Sequence, residues 1–163
     1  NVKPLRGEKG HLYEGGIRVP LIVRWPGHVE PATRTAMPVI TMDVHATILE
    51  ATHLKSDPSN TPDGISLLPL LRNESELKRE SIYFHYPNYA FHKGNRLASA
   101  IRTGDYKLLW FYDDDSVELY DLKKDISESQ NIADEMPEKT RQLREKLEAW
   151  LKNTNASRPV RAN

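Results

Sequence analysis

Cysteine is absent from all 163 residues. That excludes a disulfide framework, a thiolate nucleophile and any Cys-ligated metal. Net charge is missing as well, because 23 basic side chains balance 23 acidic ones. No long-range field is therefore available to draw in nucleic acid or an anionic membrane, and neither is expected as a partner. No apolar run approaches the ~20 residues that cross a bilayer. Internal repeats, low-complexity tracts, H-E-x-x-H, G-x-S-x-G and a complete nucleophile–base set are also lacking. What remains is 38% apolar and 28% charged, the balance of a globular chain about one domain long. The chain opens on Asn1 without a leader, and the loop that follows has no visible support. A piece of something longer is the expectation.

The glycines concentrate in one place, Arg6-Gly7-Glu8-Lys9-Gly10-His11-Leu12-Tyr13-Glu14-Gly15-Gly16. Glycine serves where backbone takes φ > 0 or comes close to something else. After Gly16 the character changes abruptly. Ile17–Trp25 carries the run Leu21-Ile22-Val23 and reads as a strand covered on both faces, as in parallel sheets. Pro26-Gly27 ends it. Thr41–Thr52 reads as a helix capped by Thr41, with Val44, Ile48 and Ala51 on its apolar face. Ser56–Asp63 is a loop and Ser66–Leu71 a helical turn. The alternating charges of Arg72–Glu80 mark a boundary.

Beyond it the pattern becomes strands with tight turns: Ile82–Tyr86, Ala98–Arg102, Tyr106–Tyr112 and Val117–Asp121. Thr103-Gly104-Asp105 is a hairpin turn. Together they predict a four-stranded antiparallel sheet. The last element is a helix over 137–152, started by Pro137. Its stripe of Leu143, Leu147, Trp150 and Leu151 should lie on the sheet, giving an α+β layer.

Lys9 is the first candidate for chemistry. Its compact ammonium suits an anionic oxygen, although a surface lysine in a turn is the plainer reading. Glu14 and Arg18 could touch substrate or form an ion pair that fixes the loop. His11 could donate to an anion or be a half-exposed loop histidine. His85-Tyr86-Pro87-Asn88-Tyr89 could build an aromatic wall for a sugar, or simply end a strand. His92, Lys93 and Arg96 could meet an anion, or be solvated. Asp113-Asp114-Asp115 reads as a hairpin turn ahead of a calcium site, which needs six to eight oxygens.

The stretch Pro4–Pro20, with its Lys-Gly-x-x-x-Glu-Gly-Gly-x-Arg-x-Pro pattern, resembles the second signature region of the type I sulfatases. Trp25-Pro26-Gly27, Met42-Asp43-Val44, Asp63-Gly64-Ile65-Ser66-Leu67-Leu68-Pro69-Leu70-Leu71, His85-Tyr86-Pro87, Arg102–Leu108 and Glu118-Leu119-Tyr120-Asp121-Leu122 agree in order. The resemblance is to arylsulfatase and N-acetylgalactosamine-6-sulfatase-like enzymes and covers nearly the whole chain. It implies a partial α/β, alkaline-phosphatase-like fold. Residues 1–75 would be the C-terminal end of the catalytic domain, and 76–163 an antiparallel-sheet subdomain. It implies a sulfuric-ester hydrolase acting on a sulfated small molecule or glycan, and an exported protein. Lys9 would contact the sulfate, with Glu14 and Arg18 supporting the loop and His85 and His11 near substrate. Calcium and a formylglycine nucleophile are implied for the complete enzyme. Neither the Cys/Ser-x-Pro/Ala-x-Arg motif nor Asp-Asn-Gly occurs here, so no metal ligand is assigned and the chain alone is expected to be inactive. The alternative is a non-catalytic anion- or carbohydrate-binding module. An unpaired strand at 17–25 would make the isolated piece self-associate.

Overall fold

A computed structural model describes residues 3–56, 59, 63–89 and 94–159. The chain divides into two compact units, Asn1–Val19 with Glu80–Asn163, and Pro20–Arg79. The first is called the sheet unit and the second the helical unit.

The sheet unit holds a short helical turn, α1 (Glu14–Ile17), then β1 (Ser81–Tyr86), β2 (Ala98–Thr103), β3 (Tyr106–Phe111), β4 (Val117–Asp121) and α4 (Pro137–Asn153). The strands are antiparallel in the order β1-β2-β3-β4, the sheet that the alternating pattern predicts. Gly104, at φ 57°, supplies the left-handed residue that a two-residue hairpin between Thr103 and Tyr106 requires.

Side chains alternate across the pleat, and each face finds a different cover. Ile101, Leu108, Trp110 and Leu119 pack against Leu143, Leu147 and Leu151 of α4. The stripe read from the sequence is thus the buried face, and Trp150 stacks on Tyr83 at 4.8 Å. The opposite face presents Ala98, Ala100, Leu109, Phe111 and Tyr120, and the glycine-rich stretch covers it through Leu12 and Tyr13. Lys107 has the same parity as Leu109 and Phe111. Its ammonium therefore points under the loop.

The helical unit contains α2 (Thr41–Ala51) and α3 (Leu68–Leu71). Two expectations fail here. Residues 17–25 form no strand: Ile17 ends α1, and the rest has neither regular structure nor a sheet partner among the described residues. Ile22 is 88% exposed and Leu21 50%. An apolar run alone does not make a strand, since a strand needs a neighbour to receive its backbone hydrogen bonds. The face of α2 is also reversed. Val44 and Ile48 are exposed, and the buried residue is Asp43.

Asp43 organises this unit. Its Oδ2 accepts the Ile40 N–H at 2.8 Å and its Oδ1 the Ile65 N–H at 2.9 Å. Asp43, not Thr41, therefore caps the helix. Arg79 grips both carboxylate oxygens, with Nη1 at 2.8 Å from Oδ2. Burial alone would raise this carboxyl, but the bonds from Arg79, Ile40 and Ile65 prevail and hold it below the ordinary 3.8. Gly64 lies so close to the start of α2 that a Cβ there would sit 2.1 Å from the Met42 carbonyl oxygen.

Candidate functional site

The glycine-rich stretch folds back on itself. Gly15 N–H donates to Arg6 O at 2.7 Å, Gly16 N–H to Tyr13 O at 2.8 Å and His11 N–H to Glu8 O at 3.0 Å. Gly7 and Gly10 take φ 76° and 92°, a region other residues enter at a cost. At Gly15 and Gly16 the constraint is space. An added Cβ would lie 2.4 Å from Gly7 O and 2.0 Å from His11 O.

Long-range bonds then pin this loop to the sheet. Arg6 Nη1 donates to Tyr120 Oη at 2.7 Å and to Glu128 O at 2.8 Å. Its guanidinium also lies 4.0 Å from the Tyr13 ring centroid, a cation–π contact. Tyr13 Oη donates to Glu118 Oε2 at 2.7 Å. Burial, followed by the bond to Glu118, pushes the Tyr13 phenol well above its ordinary value. Asn95 Nδ2 donates to Gly10 O.

The deepest anchor is Glu14, which is 2% exposed. Lys107 Nζ lies 2.9 Å from its Oε1, Arg18 Nη1 3.4 Å and Arg102 Nη1 3.8 Å from its Oε2. The Glu14 N–H donates to Glu128 Oε2 at 2.6 Å. Glu128 is fully buried at φ 50°, and its Oε1 lies 2.8 Å from Lys107 Nζ. That approach is close but misaligned, so Oε1 has charge contact without a hydrogen bond. Burial raises the Glu128 carboxyl, and Lys107 only partly counteracts it.

Lys9 stands between these anchors. It is exposed and, among the described residues, makes no hydrogen bond or ion pair. His11 is beside it, with Nδ1 3.1 Å from Glu8 O and Nε2 toward Gly94. A cleft of about 350 Å³ adjoins the loop, lined by Arg6, His11, Tyr13, Arg96, Phe111 and Glu118 among others.

His85 is elsewhere. It lies on the face that α4 covers, and both of its ring nitrogens are occupied. Nδ1 is 2.6 Å from Ser99 Oγ and Nε2 2.7 Å from Ser157 O. The structure does not bring His85 and Lys9 together. Arg96 pairs with Asp113 and Asp114, and Asp115 accepts bonds from Trp110 Nε1 and Arg144. The aspartate turn is thus held by cations of the chain itself. His92 and Lys93 lie outside the described residues. No group of three or more His, Cys, Asp or Glu among the described residues could hold a metal, so they do not fit a calcium site. With no cysteine and no serine in the required motif, the chain does not fit a formylglycine either. No helix among the described residues is long and apolar enough to cross a membrane.

Lys107 and Glu128 escape a reading of the sequence for exposed chemistry. The signal available was a lysine inside the apolar run Tyr106-Lys107-Leu108-Leu109-Trp110. A charge there is either at an edge or buried with a partner.

The chain is similar to known proteins over most of its length. The family described as N-sulphoglucosamine sulphohydrolase, C-terminal, matches residues 7–157. A sulfatase of Formosa agariphila is 37% identical over 96% of this chain and 31% of its own length. An N-acetylglucosamine-6-O-sulfatase of Bacteroides thetaiotaomicron is 32% identical over 93% of this chain and 28% of its own length. The solved structure of Ps i-CgsB in complex with k-i-k-neocarrahexaose superposes with a TM-score of 0.77 at 26% identity, covering 92% of this chain and 32% of that one. The chain spans under a third of each of these relatives.

Proposed function

The chain belongs to the N-sulphoglucosamine sulphohydrolase C-terminal family, and from that premise we propose that it forms the part of a sulfuric-ester hydrolase that presents Lys9 to the sulfate group. One observation carries the reading. A loop held on both sides by Arg6, Gly10, Tyr13 and Glu14 leaves at its exposed tip the Lys9 ammonium, which has no hydrogen bond or ion pair among the described residues. Such a charge neutralises the non-bridging oxygens of a bound sulfate and the oxygen that develops charge as the ester bond breaks. A well-placed donor of this kind contributes about 3 kcal/mol to the transition state. Rigidity matters because the donor must already be aimed before charge develops.

His11 is the second candidate contact, because its Nε2 is unbonded among the described residues. His85, with both nitrogens bound inside the sheet unit, serves the frame. The substrate class we infer is a sulfated carbohydrate, which the names of the relatives support. Calcium and formylglycine belong, on this reading, to residues outside this chain. So does the cover for the exposed apolar side chains of the helical unit, since residues 1–75 would complete a larger catalytic domain.

Hydrolysis of an aryl sulfate and of glucosamine 6-sulfate tests the reading. The 163-residue chain should give no turnover alone, and the complete sulfatase that carries it should turn over. Metal-dependent turnover by the 163 residues alone would overturn the proposal. Salt-sensitive binding of sulfated sugar by a protein that never hydrolyses it would replace the proposal with a binding module.

A further inference from the structure

Among the described residues Lys9 has no hydrogen bond or ion pair of its own, so its position is decided by the backbone on either side. On the C-terminal side the backbone is fixed at Glu14. The Gly15 N–H bond to Arg6 O closes the loop one residue later, and at Gly15 and Gly16 the backbone packs so closely that no Cβ would fit. Glu14 in turn is fixed by a closed ring of charges. Lys107 Nζ sits 2.9 Å from Glu14 Oε1 and 2.8 Å from Glu128 Oε1. Glu128 Oε2 accepts the Glu14 backbone N–H at 2.6 Å. The ring therefore grips both the side chain and the main chain of Glu14. Lys107 stands on β3, one of the two inner strands, whose next three residues are fully buried or nearly so.

A lysine with no exposed surface among apolar side chains is costly unless it is paired. An apolar residue at 107, with neutral partners, would satisfy the core equally well. The three charges are therefore more than a stability device. We propose that Lys107, with Glu128, is a positioning residue for Lys9. It transmits the geometry of the rigid sheet to the sulfate-contacting tip through Glu14. The inference rests on the sulfatase reading above.

A double-mutant cycle on kcat, in the complete sulfatase, tests it. Lys107→Met should lower kcat about 100-fold when Lys9 is present, the order expected when a reacting group is displaced by about 1 Å. In the Lys9→Ala background the same change should lower kcat less than about threefold, because no ammonium is left to misplace. A merely structural Lys107 would lower kcat by the same factor in both backgrounds, and that result overturns the inference. An unchanged kcat in Lys107→Met also overturns it. Should Lys107→Met not fold, Glu128→Gln decides. It keeps the volume, removes one buried charge, and should lower kcat about 10-fold with the same dependence on Lys9. No effect, or equal effects in both backgrounds, sinks the idea. The two levels separate cleanly. If Lys9→Ala alone leaves kcat unchanged, the sulfate-contact reading fails. If Lys9→Ala lowers kcat and the Lys107 and Glu128 variants do not, only the positioning role fails.

Discussion

The two units bury their charges in opposite circumstances. In the sheet unit a complete core lies on each side of the sheet, and the buried charges are additional to it. In the helical unit the buried carboxylate of Asp43 is the hub, and the apolar residues Leu21, Ile22, Val44 and Ile48 face outward. The sheet unit encloses its own core, and the helical unit leaves these four apolar side chains exposed. A buried charge inside a finished core fixes position for some purpose. A buried charge beside a small core, here Leu67, Leu68 and Leu77, ties the segments of the unit together.

The largest expected effect tests that second role. Asp43→Ala strips Arg79 and the amides of Ile40 and Ile65 of their acceptor. It should remove about 4 kcal/mol from the helical unit, as breaking a buried pair does. Amide exchange over Thr41–Ala51 should approach the unprotected rate while β3 stays protected. Leu147→Ala, in the core under α4, should cost the sheet unit about 3 kcal/mol as a denaturant midpoint shift. Protection over 41–51 should hardly change.

Acid sharpens the comparison. Asp43 is held below 3.8 in the fold. Its contribution is present above that value and is lost as pH falls through its folded value. Glu128 is raised above 4.5. The cost of its buried charge is present at higher pH and is relieved as pH falls toward 4.5. As pH falls below 3.8, amides of α2 should lose protection before those of β3. The reverse order would break the contrast, and Glu128→Gln should flatten the sheet unit's response.

We expect the isolated chain to self-associate through the exposed segment around Ile22, with Ile22→Asp weakening the association in sedimentation. A soluble monomer at high concentration would count against it. The smallest effect belongs to α4's exposed pairs. Arg141→Ala, which loses Glu138 and Glu145, should leave the unfolding midpoint where it was.

Legibility in the sequence follows the same division. The four strands, the turn at Gly104 and the Leu143-Leu147-Leu151 stripe were readable because local pattern and final burial agree there. Residues 17–25 were misread because Leu21-Ile22-Val23 has the composition of a buried strand, and a sequence does not show whether a neighbour is present. The face of α2 was misread for a related reason. Periodicity finds an apolar stripe, and here Val44 and Ile48 of that stripe are exposed. Lys9 was visible as a lone cation among glycines. Lys107 and Glu128 were not, because their role depends on residues 93 and 114 positions away from Glu14 in sequence. His85 was plausible by type, and only the pleat shows it facing α4.

The central claim is that the sheet unit exists, on its loop-covered face, to aim one ammonium at a sulfate. The most direct measurement is kcat/KM of the complete sulfatase carrying Lys9→Ala, with the exposed Lys123→Ala as the control for simple loss of a surface charge. A fall of about 10²- to 10³-fold in the first and less than about twofold in the second is expected. Equal, small changes in both would contradict the account.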